Sequence, residues 1–242
     1  MIYDVDKIKV INIDRESAKN CVMNNHYMKT FPAGAKIYLG ILHEGFPGLK
    51  GVAVFGMSSS TLKKISLFPA GFKEENIIEM QRLWVSDDLG KNAESKILSL
   101  IMDLFKQKLK QIKVVWTYAG GCKNDCGIVY QSSGFQYLGS EPCNDFYLTE
   151  SGEYRNIISA LRFGKAPKGM KDKKDIANHL WGKGAFIEAN RYYYFYAIDK
   201  SIRRKMLEKT KPFPKVSARY RLNQQWVEDS NGAGEGDSAV QK

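Results

Sequence analysis

The chain is poor in the residues that build metal centres and membrane segments. Its 242 residues include only four cysteines and three histidines. Cys122 and Cys126 are four positions apart, not in the C-x-x-C spacing of common zinc sites, so no metal site is predicted. No apolar run approaches the roughly 20 residues that span a bilayer, and the first residues are polar, unlike a signal segment. These absences predict a cytoplasmic protein with reduced thiols and no membrane association.

Positive charge is concentrated in the C-terminal third. The net charge is +11, yet residues 155–221 contain 18 Lys and Arg against 5 Asp and Glu, a net of +13, whereas the remainder has 19 against 21. Such a surface attracts phosphates and gives salt-dependent binding, which predicts a nucleic-acid partner. The alternative is a solvated basic face with no partner.

Residues 162–174 place Gly and Pro too close together for a regular element, and they predict a mobile basic loop. Phe163 and Trp181 bracket this loop and are candidates for stacking on a displaced base, with core packing as the alternative. The predicted DNA-binding residues are Arg162, Lys165, Lys168, Lys171, Lys173 and Lys174.

The middle of the chain, residues 79–139, reads as a strand, a polar turn, an amphipathic helix, a second strand and a short helix. Residues 80–85 and 114–118 supply the two strands, and Asn92 with Ser95 is spaced like a helix N-cap and its N3 residue. This order sets two strands side by side with a helix N-terminus at their ends. Such an arrangement is suited to holding an anionic group.

The N-terminal part predicts a β-α-β-β opening. Residues 7–13, 36–43 and 50–56 alternate as strands, residues 15–26 form a helix, and the stretch 45–48 joins the second and third strands. His26 and Tyr27 then lie on a loop over the sheet. A neutral His with a pKa of about 6.5 can accept a proton during a reaction, although a histidine stabilised at a helix C-terminus explains His26 as well.

Several short motifs occur in a characteristic order. They are Asn25-His26-Tyr27, Glu79-x-x-Arg82-Leu83, Asn92-Ala93-Glu94-Ser95, Gly127-Ile128-Val129-Tyr130-Gln131 and Gly134-Phe135-x-Tyr137-x-Gly139. Together they resemble the Mom family of phage DNA-modification proteins over roughly residues 20–215, and the middle of the chain resembles the core of the Gcn5-related N-acetyltransferases. The resemblance implies an α/β fold with a mixed twisted sheet of the acetyltransferase type. It also implies carbamoylmethylation of adenine N6 in phage DNA, which blocks host restriction enzymes.

The resemblance also implies site residues. His26, Tyr27 and Tyr130 are the candidate catalytic residues, and the candidate donor-binding residues are Arg82, Leu83, Val85, Asn92 and Ser95. Acetyl-CoA is the default donor of the superfamily, but the turn before the helix lacks the usual glycine pair, so an aminoacyl-tRNA is the alternative donor. Iron is a further candidate cofactor, although no ligand spacing supports it. Thr117-Tyr118-Ala119 is followed by two glycines where family members carry an acid, and Asp125 lies nearby.

These features divide the chain into three predicted parts. Residues 1–154 form an acetyltransferase-like core, residues 155–227 a basic extension with one strand that completes the core sheet, and residues 228–242 a disordered tail. Double-stranded DNA is the expected partner, and tRNA a second one. Two rival functions remain: an N-acetyltransferase acting on a small molecule or peptide, and a non-catalytic DNA-binding protein on the same fold.

Overall fold

The computed structural model describes residues 4–120, 126–162 and 164–215. Cys122, Asp125, Phe163, the side chain of Arg162 and the predicted tail at 228–242 lie outside this description. In chain order the helices and strands are β1 (Ile8–Asn12), α1 (Arg15–Asn25), β2 (Ala35–His43), β3 (Phe46–Gly56), α2 (Ser59–Lys64), β4 (Ile77–Val85), α3 (Ala93–Lys108), β5 (Val114–Gly120), α4 (Ile128–Ser132), β6 (Gln136–Pro142), β7 (Phe146–Thr149), β8 (Tyr154–Asn156), α5 (Ile157–Arg162), α6 (Lys173–Trp181), β9 (Gly184–Phe186), β10 (Asn190–Ala197) and α7 (Lys200–Met206).

The main sheet has seven strands in the order β1-β2-β3-β4-β5-β10-β6. Neighbouring strands are antiparallel except β4 and β5, which are parallel. The predicted mixed sheet and its β-α-β-β opening are therefore confirmed. β10 comes from the basic C-terminal third and lies between β5 and β6, so this third contributes a central strand.

β4 and β5 diverge soon after they meet. Their register pairs only three positions of each strand, from Ile77 opposite Val114 to Glu79 opposite Trp116. On its other side β4 carries a bulge, because Val54 and Phe55 of β3 pair with Arg82 and Met80 and leave Gln81 as an extra residue. A bulge bends its strand and increases the local twist. The strands therefore splay and open a gap in the sheet.

The two faces of the sheet are covered by different helices. α3 places its apolar stripe, which includes Ile97, Ile101 and the fully buried Phe105, against one face. α1 packs against β3 on the opposite face, where α7 and the segment after α2 also cover Trp116 and Phe195. The 3/4 spacing of apolar residues in α3 explains this burial. The gap between β4 and β5 thus lies between two faces of the sheet that are covered by different helices.

A second, three-stranded sheet has the order β8-β7-β9. Its core is a small cluster of Tyr147, Ile157, Ile176 and Ala177, which joins the sheet to α5 and α6. This unit carries the basic stretch that the sequence predicts to bind DNA. It therefore has its own apolar support beside the main sheet.

Two local predictions are corrected by the structure. The joint between β2 and β3 is shorter than predicted, because β3 already begins at Phe46. The stretch 162–174 is not a continuous loop, because α5 includes Arg162 and α6 begins at Lys173. Asp172 caps α6, since its side chain accepts hydrogen bonds from the backbone N–H groups of Lys174 and Asp175.

Candidate active site

A cleft of about 910 Å³ opens where β4 and β5 diverge. It is lined by the loop after α1, by the outer half of β4, by the end of β5, by α4 and by part of β10. The cleft brings together six of the residues predicted from the sequence: His26, Tyr27, Arg82, Leu83, Val85 and Tyr130. Asn92 and Ser95 are not among the residues that line it.

His26 terminates α1, and its imidazole is buried. The backbone N–H of Met28 donates to its Nδ1 at 3.1 Å, and the ring of Tyr27 stacks on it with centroids 4.4 Å apart. Because Nδ1 accepts, the neutral imidazole carries its proton on Nε2 and donates from that atom. In this tautomer Nε2 is the atom that can donate a hydrogen bond, so a role as donor stands beside the predicted role of His26 in proton transfer.

Glu79 is a carboxylate in the cleft for which the sequence predicts no role. It is only 2% exposed and occupies the last paired position between β4 and β5. The hydroxyl of Thr61 donates to its Oε2 at 2.5 Å, and the hydroxyl of Ser58 lies 3.0 Å from that of Thr61. The start of α2 therefore holds this carboxylate at the point where the strands separate. Its place in the motif around Arg82 was the only signal in the sequence.

Arg82 connects β4 to the loop that carries His26. Its Nε donates to the carbonyl oxygen of Thr30 at 3.1 Å and its Nη2 to the hydroxyl of Thr30 at 2.8 Å. A third bond joins Nη1 to the carbonyl oxygen of Gln81 at 2.6 Å. A guanidinium has five N–H groups, so Arg82 can hold this loop and still donate to an anion.

The start of α3 differs in detail from the predicted cap. Asn92 is the N-cap, but it adopts a left-handed conformation with φ 68° and its side chain makes no capping bond. The hydroxyl of Ser95 lies 3.0 Å from that of Ser132, and the hydroxyl of Ser133 donates to it at 3.3 Å. Ser95 thus lies between α3 and α4, outside the cleft lining, while Glu94 lines the cleft.

Tyr130 lies on α4 with its ring packed among aromatic neighbours. Ring centroids are 5.3 Å away for Phe135 and 5.6 Å for Tyr194. The helix is preceded by Gly127 at φ 78°, where a Cβ would lie 2.8 Å from both the Tyr194 ring and Ala119. Only glycine fits that position without displacement, and this close packing fixes the direction from which Tyr130 reaches the cleft.

One wall of the cleft is a polar network around Glu141. Lys64 donates to one carboxylate oxygen at 2.7 Å and the hydroxyl of Tyr193 to the other at 2.6 Å. The Lys64 ammonium also lies 4.5 Å from the centroid of the Tyr193 ring. Burial, together with the bond to Glu141, raises the pKa of Tyr193 to about 12. Tyr193 is therefore a protonated, fixed part of this wall at neutral pH.

Arg191 of β10 links the cleft to the second sheet. Its guanidinium carbon lies 5.2 Å from the centroid of the Tyr118 ring, and its Nη2 donates to Sγ of Cys143 at 3.2 Å. Asp145 lies 3.8 Å from the same nitrogen and 3.6 Å from Nζ of Lys173. One ionic chain thus connects a lysine of the basic stretch to an aromatic ring in the cleft.

The basic stretch presents its lysines to solvent. Lys165, Lys168, Lys171, Lys173 and Lys174 are all exposed. Trp181 packs against Tyr147, with ring centroids 6.0 Å apart, in the small core beneath them. Core packing, the alternative for Trp181, is therefore what the structure supports.

Among the described residues, no group of three or more His, Cys, Asp and Glu side chains is arranged to hold a metal ion. Within the same residues, no helix combines the length and the apolar character needed to cross a membrane.

The match to a known family covers most of the chain. The family model described as the Mom protein family matches residues 7–215. This chain belongs to the Mom family. One relative is the methylcarbamoylase Mom of Escherichia phage Mu, which is 24% identical over 221 residues, covering 88% of this chain and 86% of the relative.

Two solved structures are partly similar to this chain. Arabidopsis thaliana NAA60 in complex with acetyl-CoA has a TM-score of 0.48 at 12% identity, over 79% of this chain and 99% of that one. The spermidine/spermine N-acetyltransferase SpeG from Vibrio cholerae has a TM-score of 0.46 at 8% identity, over 83% and 98%. The strand order of the main sheet, with its one parallel pair, is what confirms the mixed α/β fold predicted from the sequence.

Proposed function

We propose that this protein is a transferase that modifies the exocyclic N6 amino group of adenine in DNA with a carbamoylmethyl-type group and so protects the DNA from restriction enzymes. The observation that carries the proposal is the buried carboxylate of Glu79 in a cleft that also holds His26 and Arg82 from the motifs predicted to form the site. Family membership and the exposed lysines of the second unit support DNA as the substrate.

Proton removal is the chemical difficulty of this reaction. The lone pair of the adenine amino group is delocalised into the ring, so the nitrogen must lose a proton as it attacks. We assign this proton to Glu79, because the Thr61 hydroxyl orients its carboxylate and burial keeps competing water away. As N6 attacks the carbonyl carbon of the donor's acyl unit, the proton passes to Glu79 and an oxyanion forms on that carbonyl; the bond between the acyl unit and its carrier then breaks, and the carrier leaves with a proton.

His26 and the tyrosines are placed to stabilise negative charge, which develops on the transferred unit and on the leaving group. His26 donates from Nε2 in the tautomer set by Met28, which suits it to stabilise an oxyanion that develops on the transferred unit. Tyr27 is 45% exposed at the edge of the cleft, and Tyr130 reaches it from α4. Either phenol can donate to the leaving group.

The donor side of the cleft is formed by Leu83 and Val85 of β4 together with α4. The N-terminus of α3 lies next to it and offers backbone N–H groups to an anion. This arrangement could hold acetyl-CoA, the donor common in the superfamily, but an acetyl unit alone would leave an N6-acetyl group, so a carbamoylmethyl-type product needs a unit that also contains nitrogen, as a glycyl unit does. An aminoacyl-tRNA is the alternative, because the basic surface suits RNA as well as DNA.

A substitution at Ser95 tests whether the donor binds on this side of the cleft. We expect Ser95→Arg to weaken the binding of acetyl-CoA in isothermal titration calorimetry, because Ser95 lies just outside the cleft lining and the longer side chain would extend from there toward the donor side. The thermal transition should stay close to that of the wild type, since Ser95 is only partly buried. Ser95→Ala is the matched control and should keep binding. An unfolded Ser95→Arg protein would mean that Ser95 is a packing residue.

The function itself is tested by nucleoside mass spectrometry of DNA co-expressed with the protein. The wild type should yield a modified adenine nucleoside. His26→Ala should lower its yield about 100- to 1,000-fold, the usual cost of losing one donor to an oxyanion, while the protein stays folded and bound to DNA. Full modification by His26→Ala would exclude His26 from the mechanism.

Two outcomes of this measurement would favour the rival functions. Unmodified DNA together with salt-insensitive acetyl-CoA binding and no DNA affinity would indicate an N-acetyltransferase for a small molecule or peptide. Unmodified DNA together with retained DNA binding would indicate a non-catalytic DNA-binding protein.

A further inference from the structure

Tyr118 is an exception in the strand that carries it. Its neighbours in β5, Trp116, Thr117 and Ala119, are each at most 8% exposed, whereas Tyr118 is 37% exposed and lines the cleft. A single exposed ring is common on protein surfaces. An exposed ring on a central strand that also lines a cleft is, in contrast, a surface on which a ligand can pack.

The ring of Tyr118 is held in place from one side. The Arg191 guanidinium lies 5.2 Å from its centroid, a distance at which a cation is attracted to an aromatic face. Arg191 is itself fixed by Cys143 at 3.2 Å and by Asp145 at 3.8 Å, and its side chain is only 28% exposed. Because the guanidinium occupies one side of the ring, the exposed part of Tyr118 is directed to the cleft.

The other aromatic rings on this side of the cleft are already engaged. Tyr193 has Lys64 over its ring and its hydroxyl bonded to Glu141, and Trp116 packs 5.6 Å from Tyr193 and is 2% exposed. Tyr193 and Trp116 therefore have little ring surface left for a ligand. Tyr118, next to them, has an exposed ring on which a flat ligand can stack.

A nucleobase has the shape and the chemistry to cover such a ring. A base inside a duplex is reached by enzymes only after it rotates out of the stack, and stacking on an aromatic side chain contributes roughly 1–3 kcal/mol per base. The cleft volume of about 910 Å³ lies near the top of the range for small-ligand sites, about 300–1,000 Å³. It can hold a base and a donor group together. Lys64 and Arg191 also line this side of the cleft, and their positive charges can interact with the phosphates that flank the base.

We propose that Tyr118, backed by Arg191, is the stacking platform that receives a DNA base rotated out of its helix. This inference rests on the proposed function, since it names the place of the substrate base within the same cleft. It also gives the ionic chain from Arg191 through Asp145 to Lys173 a role, because that chain joins the base platform to the basic stretch that faces the DNA backbone.

The test separates base contacts from phosphate contacts. The affinity of the protein is measured by fluorescence anisotropy for a single-stranded 12-mer and for a 12-mer of abasic sites with the same phosphates. The wild type should bind the base-bearing strand more tightly by about 5- to 150-fold, the equivalent of one stacked base. Tyr118→Leu should bring this ratio close to one, and Tyr118→Phe should preserve it.

Two matched variants complete the experiment. Phe213→Leu removes another exposed ring, 45% exposed in the basic third and absent from the cleft lining, and should leave the ratio unchanged. Lys168→Ser should weaken both strands equally, because it removes an interaction with phosphate only. Circular dichroism checks that each variant is folded.

The outcomes divide clearly. A wild-type ratio near one, or a ratio that Tyr118→Leu leaves intact, would overturn the stacking platform even if the DNA is modified. A ratio that depends on Tyr118 in a protein that leaves adenine unmodified would support the platform and contradict the proposed function.

Discussion

Glu79→Gln is expected to reduce the modification of adenine by a factor of about 100 to 10,000, the range over which a positioned general base acts. Glutamine keeps the shape of the side chain and can still accept the hydrogen bond that Thr61 donates. It cannot take up the proton that N6 must lose. The fold and the affinity for DNA should therefore be retained while the chemical step is lost. The measurement is a time course of modified nucleoside by mass spectrometry.

Glu94→Gln is the matched control for this variant. Glu94 lies at the start of α3 and its side chain also lines the cleft, so the substitution removes a second negative charge from the same space. We expect it to change the rate far less than Glu79→Gln does. Equal losses in the two variants would mean that the charge of the cleft, and not a specific proton acceptor, controls the rate. A fully active Glu79→Gln protein would exclude Glu79 as the base.

The second large effect concerns the basic stretch. Replacing Lys165, Lys168, Lys171, Lys173 and Lys174 together by serine should weaken DNA binding strongly. For every lysine that binds a phosphate, its replacement should lower the slope of log affinity against log salt by about 0.9 on duplex DNA, or by about 4.5 if all five do so. The binding of acetyl-CoA should not change, because the donor side is formed by β4 and α4 next to the start of α3. Filter-binding titrations over a range of salt concentrations measure this slope.

Five lysines elsewhere provide the control. Lys7, Lys36, Lys106, Lys108 and Lys110 are exposed and lie outside the basic third, so their replacement by serine removes the same net charge. If both sets of substitutions lower the slope equally, total charge governs the affinity. A slope that stays unchanged when the first set is replaced would make the stretch a solvated surface only.

The sequence predicted the local elements of the site well, because each depends on a short pattern. β4, the apolar stripe of α3 and the glycine-flanked α4 all follow from spacing within a dozen residues. The tautomer of His26 could not be predicted, since it depends on a backbone N–H two residues along that turns back to Nδ1. The pairing of Thr61 with Glu79 joins α2 to β4 and has no counterpart in any local pattern.

The largest difference between what the sequence predicts and what the structure shows lies at β10. The aromatic residues 192–197 predict a strand, but nothing local shows that this strand lies between β5 and β6. That placement brings Arg191 to Tyr118 and Tyr193 to the cleft wall. The base platform therefore depends on partners far apart in the chain.

The insertion of β10 also governs when the protein becomes competent during its synthesis. Until residues 190–197 have left the ribosome, β5 keeps an unpaired edge and β6 has no neighbour in the sheet. Pairings over such sequence distances form late in folding, because the intervening chain must first be closed into a loop. The cleft is thus completed after the second sheet, whose strands and helices all precede β10, and a nascent chain that ends before β10 lacks Arg191 and Tyr193 in the cleft wall.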